Sequence, residues 1–118
     1  MNAVELDELR GVTVARLEGE IDHSNGNQVA RELEGTLEAA DGGLVVDLSL
    51  VAFIDSSAIS ALFRLARLAG EQERALGLVV PAGSVVERVL RVVALDDVVP
   101  VAHELEAAVE TVLRANDH

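Results

Sequence analysis

Hydrophobic and polar positions come close to alternating at the start of the chain. Val4, Leu6 and Leu9 lead to Arg10-Gly11, and Val12, Val14 and Leu17 follow at similar spacing. Near-alternation on both sides of a glycine predicts a β-hairpin turning at Gly11. A polar stretch from Gly19 to Asn27 reads as a loop. The period then changes. Val29, Leu33, Leu37 and Ala40 recur as one helix face, ended by Asp41-Gly42-Gly43. Asn25 and Gln28 have the spacing of a capping box at its start. Leu44 to Leu48 is a short, nearly unbroken apolar run, which favours a buried strand. Residues 49–54 stay apolar without a clear period.

A second helix is expected from Asp55-Ser56, burying Ile59, Leu62, Phe63, Ala66 and Ala69. Leu65 and Leu68 widen its apolar stripe. Leu65, with Ala58 and Ala61, reads either as a contact patch or as packing under a neighbouring helix. Leu76 to Val80 predicts another buried strand, stopped by Pro81. Ser84 and Glu87 form a capping box for a helix that turns Val85, Val86, Val89, Leu90 and Val93 inward. Val98 to Val101 predicts a last strand, at an edge because Pro100 lacks an N–H. A final helix buries Leu105, Ala108, Val109, Val112 and Leu113.

The order is β-β-α-β-α-β-α-β-α. That is the α/β class: a mixed sheet of about five strands, a leading antiparallel hairpin followed by parallel crossovers, with about four helices. With 118 residues, one domain over 1–118 is expected. In such sheets functional groups collect at the carboxyl ends of strands. Residues 19–27 and 49–57 are the two loops that qualify.

Composition removes several functions. The net charge is −12, and all 9 basic residues are arginine. Such a surface repels phosphate backbones, so no nucleic-acid partner is expected. With 2 Phe and no Trp or Tyr there is no stacking platform for bases. Without cysteine there is no thiol nucleophile and no cysteine-bound zinc. No apolar run is long enough to span a bilayer, so no membrane insertion is expected. The acidic start, Met1 to Glu8, does not read as a secretory signal, which makes the cytoplasm the expected compartment.

Candidate chemistry is sparse. Asp47 sits inside an apolar run, without the partner acids that a phosphoacceptor aspartate needs to hold magnesium, and reads as a carboxylate that ties down the next loop. His23 and His103 lack metal-ligand spacing and read as solvated. No nucleophile elbow or phosphate-cradling lysine loop is present. The chain therefore reads as no enzyme, with no metal and no cofactor. The segment Phe53-Ile54-Asp55-Ser56-Ser57-Ala58-Ile59 stands out. Asp55 or Ser56 can cap a helix. A serine at such a helix start also faces free backbone N–H groups, which can hold a phosphate added to it.

Two segments together resemble the STAS domain family of bacterial anti-sigma factor antagonists. One is Leu17-Glu18-Gly19-Glu20-Ile21-Asp22-His23; the other is Val46-Asp47-Leu48-Ser49 followed by Phe53-Ile54-Asp55-Ser56-Ser57. The resemblance implies a single STAS-like domain. It implies an antagonist that binds a cytoplasmic anti-sigma serine kinase, is released by phosphorylation on Ser56, is reset by a phosphatase, and so sets sigma-factor availability. The partner-binding residues it implies are Glu20, Asp22, His23, Asp55, Ser57, Ala58 and Ile59. Where the family usually has Gly-apolar-Gly after the serines, this chain has Ala58-Ile59-Ser60. The alternative is a divergent STAS adaptor in another assembly, such as a lipid-transport ATPase complex or a signalling scaffold, without a phospho-switch. Oligomeric state stays open.

Overall fold

The computed structural model describes residues 4–117. Met1 to Ala3, part of the acidic start, and His118 lie outside the described residues. Ten elements succeed one another: β1 (Val4–Leu9), β2 (Val12–Ile21), α1 (Gly26–Ala39), β3 (Leu44–Ile54), α2 (Ser56–Gln72), β4 (Leu76–Val79), α3 (Val85–Val92), a 3₁₀ turn (Leu95–Asp97), β5 (Val101–Ala102) and α4 (Leu105–Asn116). The strands form one sheet in the order β1-β2-β3-β4-β5. β1 and β2 are antiparallel, and every other pairing is parallel. The mixed five-stranded sheet with four helices is the expected architecture. Arg10 and Gly11 both take positive φ, 56° and 87°, as a tight hairpin turn requires.

Alternation along the strands sorts the core onto two faces. Leu44, Val46 and Leu48 of β3 pack with Leu33 and Leu37 of α1, Leu62 and Leu65 of α2, and Leu90 of α3. Val45 of β3 packs on the other face with Val12, Val14, Val109 and Val112, under α4. Asp47 shares that second face by its position in the strand. It is buried, its Oδ2 lies 3.4 Å from Arg16 Nε, and its Oδ1 accepts from the Ser49 backbone N–H at 2.9 Å. The expected loops are shorter than the sequence suggests: β2 continues to Ile21 and β3 to Ile54, so Ser49 lies inside a strand and Asp47 pins the interior of β3, not a loop.

Other local expectations change as well. On α2 the fully buried residues are Ala58, Leu62, Leu65 and Ala69, while Ile59, Phe63 and Ala66 lie half-buried beside them. Leu65 is therefore core and not a contact patch. On α3, Val86 and Leu90 are buried, but Val85 is 59 % exposed. β5 begins after Pro100, whose carbonyl accepts from Leu78 N while the ring offers no donor. It is the expected edge strand, shortened to two residues because the Val98 and Val99 N–H groups bond back to Leu95 O and not across the sheet. α1 begins at Gly26, and Asn25 spends no side-chain hydrogen bond on capping it.

The capping box at α3 forms with one displacement. Ser84 Oγ accepts from Glu87 N at 3.1 Å, and Glu87 Oε1 accepts from Gly83 N at 2.7 Å. Buried Glu87 also meets Arg91 Nη2 at 3.2 Å and His103 Nε2 at 2.5 Å. One carboxylate thus fastens α3 to the segment after β5. Its partners, the Gly83 N–H first and His103 next, hold it below the usual carboxylate range.

This packing has two measurable outcomes. Leu33→Ala, at a fully buried site, is expected to cost roughly 2–5 kcal/mol in chemical denaturation, whereas exposed Leu6→Ala should stay within about 0.5 kcal/mol. The Glu87 carboxylate, depressed in the folded state, contributes stability that is complete above the ordinary carboxylate range and lost as pH falls through its lowered value. Glu87→Gln should therefore lower Tm most near neutral pH. The gap to the parent protein should close in acid, as followed by thermal melts between about pH 7 and 3.

Candidate functional site

β2 and β3 run parallel and finish together, Ile21 opposite Ile54. The segments leaving the two strands therefore meet at one end of the sheet. β2 gives way to the loop Asp22–Asn25, which leads into α1; β3 gives way to Asp55, which leads into α2. Asp55 N donates to Ile21 O at 3.2 Å, so the two exits are joined at their first residue.

The Asp55 carboxylate completes the junction. Its Oδ1 accepts from Ser57 N at 2.9 Å, Ala58 N at 3.2 Å and Ser57 Oγ at 2.6 Å. Its Oδ2 accepts from His23 N at 3.0 Å. Asp55 is thus the N-cap of α2 and a strap across to the other loop. These bonds, the Ser57 hydroxyl foremost, hold its carboxyl below the usual range against partial burial.

The loop after β2 is built on the same plan. Asp22 Oδ1 accepts from Ser24 Oγ at 2.6 Å and Ser24 N at 2.9 Å, which lowers the carboxyl's pKa even though Asp55 nearby opposes the shift. Asn25 Oδ1 accepts from Asp22 N at 2.9 Å, and its Nδ2 donates to Glu20 O at 2.9 Å. The Asn25 amide is committed to the loop, which explains why it does not cap α1. Gly26 opens α1 hard against α2: a Cβ there would stand 2.9 Å from Ser57 Oγ.

The two serines of α2 differ sharply. Ser57 Oγ is half-buried and held by Asp55. Ser56 is exposed, and its hydroxyl has no hydrogen-bond partner among the described residues. Glu20 and His23 are also exposed, with His23 Nδ1 3.8 Å from Asp55 Oδ2. Asp22, Asp55 and Ile59 are half-buried. Ala58 has its methyl in the core, which removes its side chain from any contact surface. Ser60 is exposed.

Beside this cluster lies an apolar feature that periodicity does not reveal. β3 gains a residue on β2 between the Arg16 and Glu18 pairings, and another between Gly19 and Glu20. Such bulges bend a strand and re-aim its side chains. Here Val51 and Ile54 turn inward, while Leu50 and Phe53 are 56 % and 47 % exposed. β4 ends opposite Asp47, so the β2–β3 ribbon projects beyond it. On the other side, a cleft of about 470 Å³ between α1 and α2 is lined by Ser57, Ser60, Arg31 and Arg64, with Arg64 Nε paired to Glu34 at 3.0 Å. Among the described residues no group of three or more His, Asp or Glu could hold a metal ion, and no helix is long and apolar enough to cross a membrane.

Several solved structures share this fold. An anti-sigma factor antagonist from Mycobacterium paratuberculosis is similar at 25 % identity and a TM-score of 0.83, over 92 % of each chain. The Bacillus cell fate determinant SpoIIAA, in its phosphorylated form, is similar at 22 % identity and a TM-score of 0.67, over 92 % of this chain and 99 % of that one. A sulfate transporter family protein from Wolinella succinogenes is similar at 15 % identity and a TM-score of 0.74, over 95 % of this chain and 93 % of that one. No curated protein sequence matches the chain. The model of the STAS domain matches residues 3–108. With that match over most of its length, and with the five-stranded mixed sheet just described, this chain belongs to the STAS domain family.

Proposed function

We propose that this protein is an anti-sigma factor antagonist that binds a cytoplasmic anti-sigma serine kinase at the Ser56 end of the sheet and is released when Ser56 is phosphorylated. A phosphatase then resets it, and the protein itself performs no catalysis. The observation that carries this reading is the contrast between the two adjacent serines. Ser56 Oγ is exposed and unbonded, ready to attack a nucleotide's terminal phosphate; Ser57 Oγ is committed to Asp55. The likeness to an anti-sigma factor antagonist over 92 % of the chain supports the same reading.

The release is a matter of charge. A phosphoserine adds about −1.5 to −2 charges. At Ser56 it would stand at a helix start that tolerates it, so the fold is kept. In a complex it would be desolvated beside Asp55 and Asp22, whose lowered pKa values keep both ionised. Crowded like charges in an interface cost several kcal/mol, or a few decades of affinity. The docking surface consists of Glu20, Asp22, His23, Asp55, Ser57 and Ile59, supported from beneath by Ala58. Phe53 and Leu50 on the projecting ribbon supply the apolar anchors that acidic loops lack.

Incubation with ATP and the host's anti-sigma serine kinase is expected to place one phosphate on Ser56, found by mass spectrometry. It should persist in Ser57→Ala and vanish in Ser56→Ala. Ser56→Asp should weaken kinase binding at least tenfold by calorimetry; unchanged affinity would sink the switch and favour an adaptor role. Phe53→Ser combined with Leu50→Ser should change stability little, because both side chains are exposed, yet weaken kinase binding at least tenfold. Full affinity in that double variant would place the contact elsewhere.

A further inference from the structure

The cleft between α1 and α2, about 470 Å³, falls within the range of roughly 300–1,000 Å³ typical of binding pockets. Small side chains leave it open: Gly26 and Ala30 of α1, and Ser57, Ser60 and Ala61 of α2. Arg31 lines it from α1 and Arg64 from α2, and Glu34 is the one acid among the described residues that line it. The two helices cover the same face of the sheet, since Leu33 and Leu62 share one core. Both arginines are exposed, so a partner can reach them.

Most arginines of this chain are tied to a carboxylate of their own. Arg64 follows that pattern through Glu34 at 3.0 Å. Arg31 does not: among the described residues no carboxylate pairs with it. The cleft therefore keeps an excess of positive charge in a chain of net charge −12. It borders the acidic end of the sheet through Ser57, which lines the cleft and bonds Asp55. Opposite charges thus lie side by side, Asp22 and Asp55 at the junction, Arg31 and Arg64 in the cleft. Arg64 stands about 12 Å along α2 from Ser56, at 1.5 Å per residue. That is more than the Debye length of about 8 Å at physiological salt, so Arg64 does not cancel a charge added at Ser56.

We propose that this cleft receives an acidic segment of the anti-sigma kinase, with an Asp or Glu carboxylate on Arg31 and Arg64 as its second donor. The inference rests on the binding role proposed for the Ser56 surface and gives the partner a chemistry: basic groups opposite Asp22 and Asp55, an acid opposite the cleft. Arginine suits the task because its guanidinium pairs a carboxylate with two parallel bonds. A surface of alternating sign fixes the register of docking and disfavours partners of uniform charge. A second copy of this chain is also rich in acids, but seated here it would crowd the serine surface that the kinase has to reach.

The test is calorimetry of the full chain with the host's anti-sigma serine kinase at physiological salt, beside the kinetics of Ser56 phosphorylation. Arg31→Glu should weaken binding at least fivefold, and Arg31→Glu with Arg64→Glu at least twentyfold. Arg67→Glu makes the same change in net charge on α2 but outside the cleft, and should stay within about twofold. In Arg31→Glu the KM for phosphorylation should rise while kcat is kept, because the cleft positions the partner without touching the reacting hydroxyl. Arg31 is exposed and unpaired, so its variant should fold; if the double variant does not, Arg31→Glu alone decides. A loss below fivefold in Arg31→Glu, or an equal loss in Arg67→Glu, overturns the proposal. So does a dimer of the chain alone that Arg31→Glu dissolves in sedimentation, since the cleft then belongs to a second copy. If the parent chain binds no kinase at all, the binding role itself falls, and this inference with it.

Discussion

The end of the sheet that carries Ser56 depends on one carboxylate. Asp55 caps α2 with one oxygen and holds the loop after β2 with the other. Two chain segments more than thirty residues apart thereby become one surface. Neither segment could hold its shape alone. A helix start has unpaired N–H groups, and a polar loop has no core of its own. Because Asp55 Oδ1 also takes the Ser57 hydroxyl, the second serine serves the scaffold and the first is left to solvent. The difference in chemical availability between two neighbouring identical residues is thus set by which one lies within reach of the cap.

The second constraint is the unequal length of the strands. β3 has 11 residues and β4 has 4, and their pairing ends at Asp47. Beyond that point β3 is paired only to β2 within the sheet. The two extra residues in β3 give that ribbon a twist that a regular pleat would not have. The result is that an apolar stretch next to the serines points partly into the core and partly outward. The acidic loops and the apolar ribbon occupy the same end of the sheet because both are outgrowths of the β2–β3 pair.

Most of the architecture is legible in the sequence because the elements obey simple periods. The α1 face at Val29, Leu33 and Leu37, the buried run Leu44 to Leu48, and the α4 face at Ala108, Val109 and Val112 all appear as the pattern predicts. Periodicity fails where a rule has a local competitor. Residues 49–54 carry no period of two because two bulges break the alternation. Asn25 has the composition of a cap but bonds the loop before it. The buried stripe of α2 lies about one position from where the spacing puts it, since Ala58 and Leu65 face the sheet and Ile59 and Phe63 flank it. At the candidate site, Asp55 is legible as a cap and Ser56 as the helix start. The strap from Asp55 to His23 N is not, because it joins residues that only the parallel β2–β3 pairing brings together.

On the proposed switch, this placement also accounts for how a small change in charge would matter in so acidic a chain. At −12 the protein already repels anions at long range, and a phosphate would alter that total by a minor fraction. Screening limits the reach of exposed charges to about 8–10 Å at physiological salt. The charges that count are therefore those within one Debye length of Ser56. Asp55 and Asp22 are both held ionised by hydrogen bonds from serines and backbone rather than by a cation of their own. A partner that covers this end must supply the compensating positive groups. A partner matched to two carboxylates would be mismatched to two carboxylates and a phosphate. In the proposed switch the discrimination would reside in the local count, which the Asp55 junction keeps fixed, and hardly at all in the net charge of the chain.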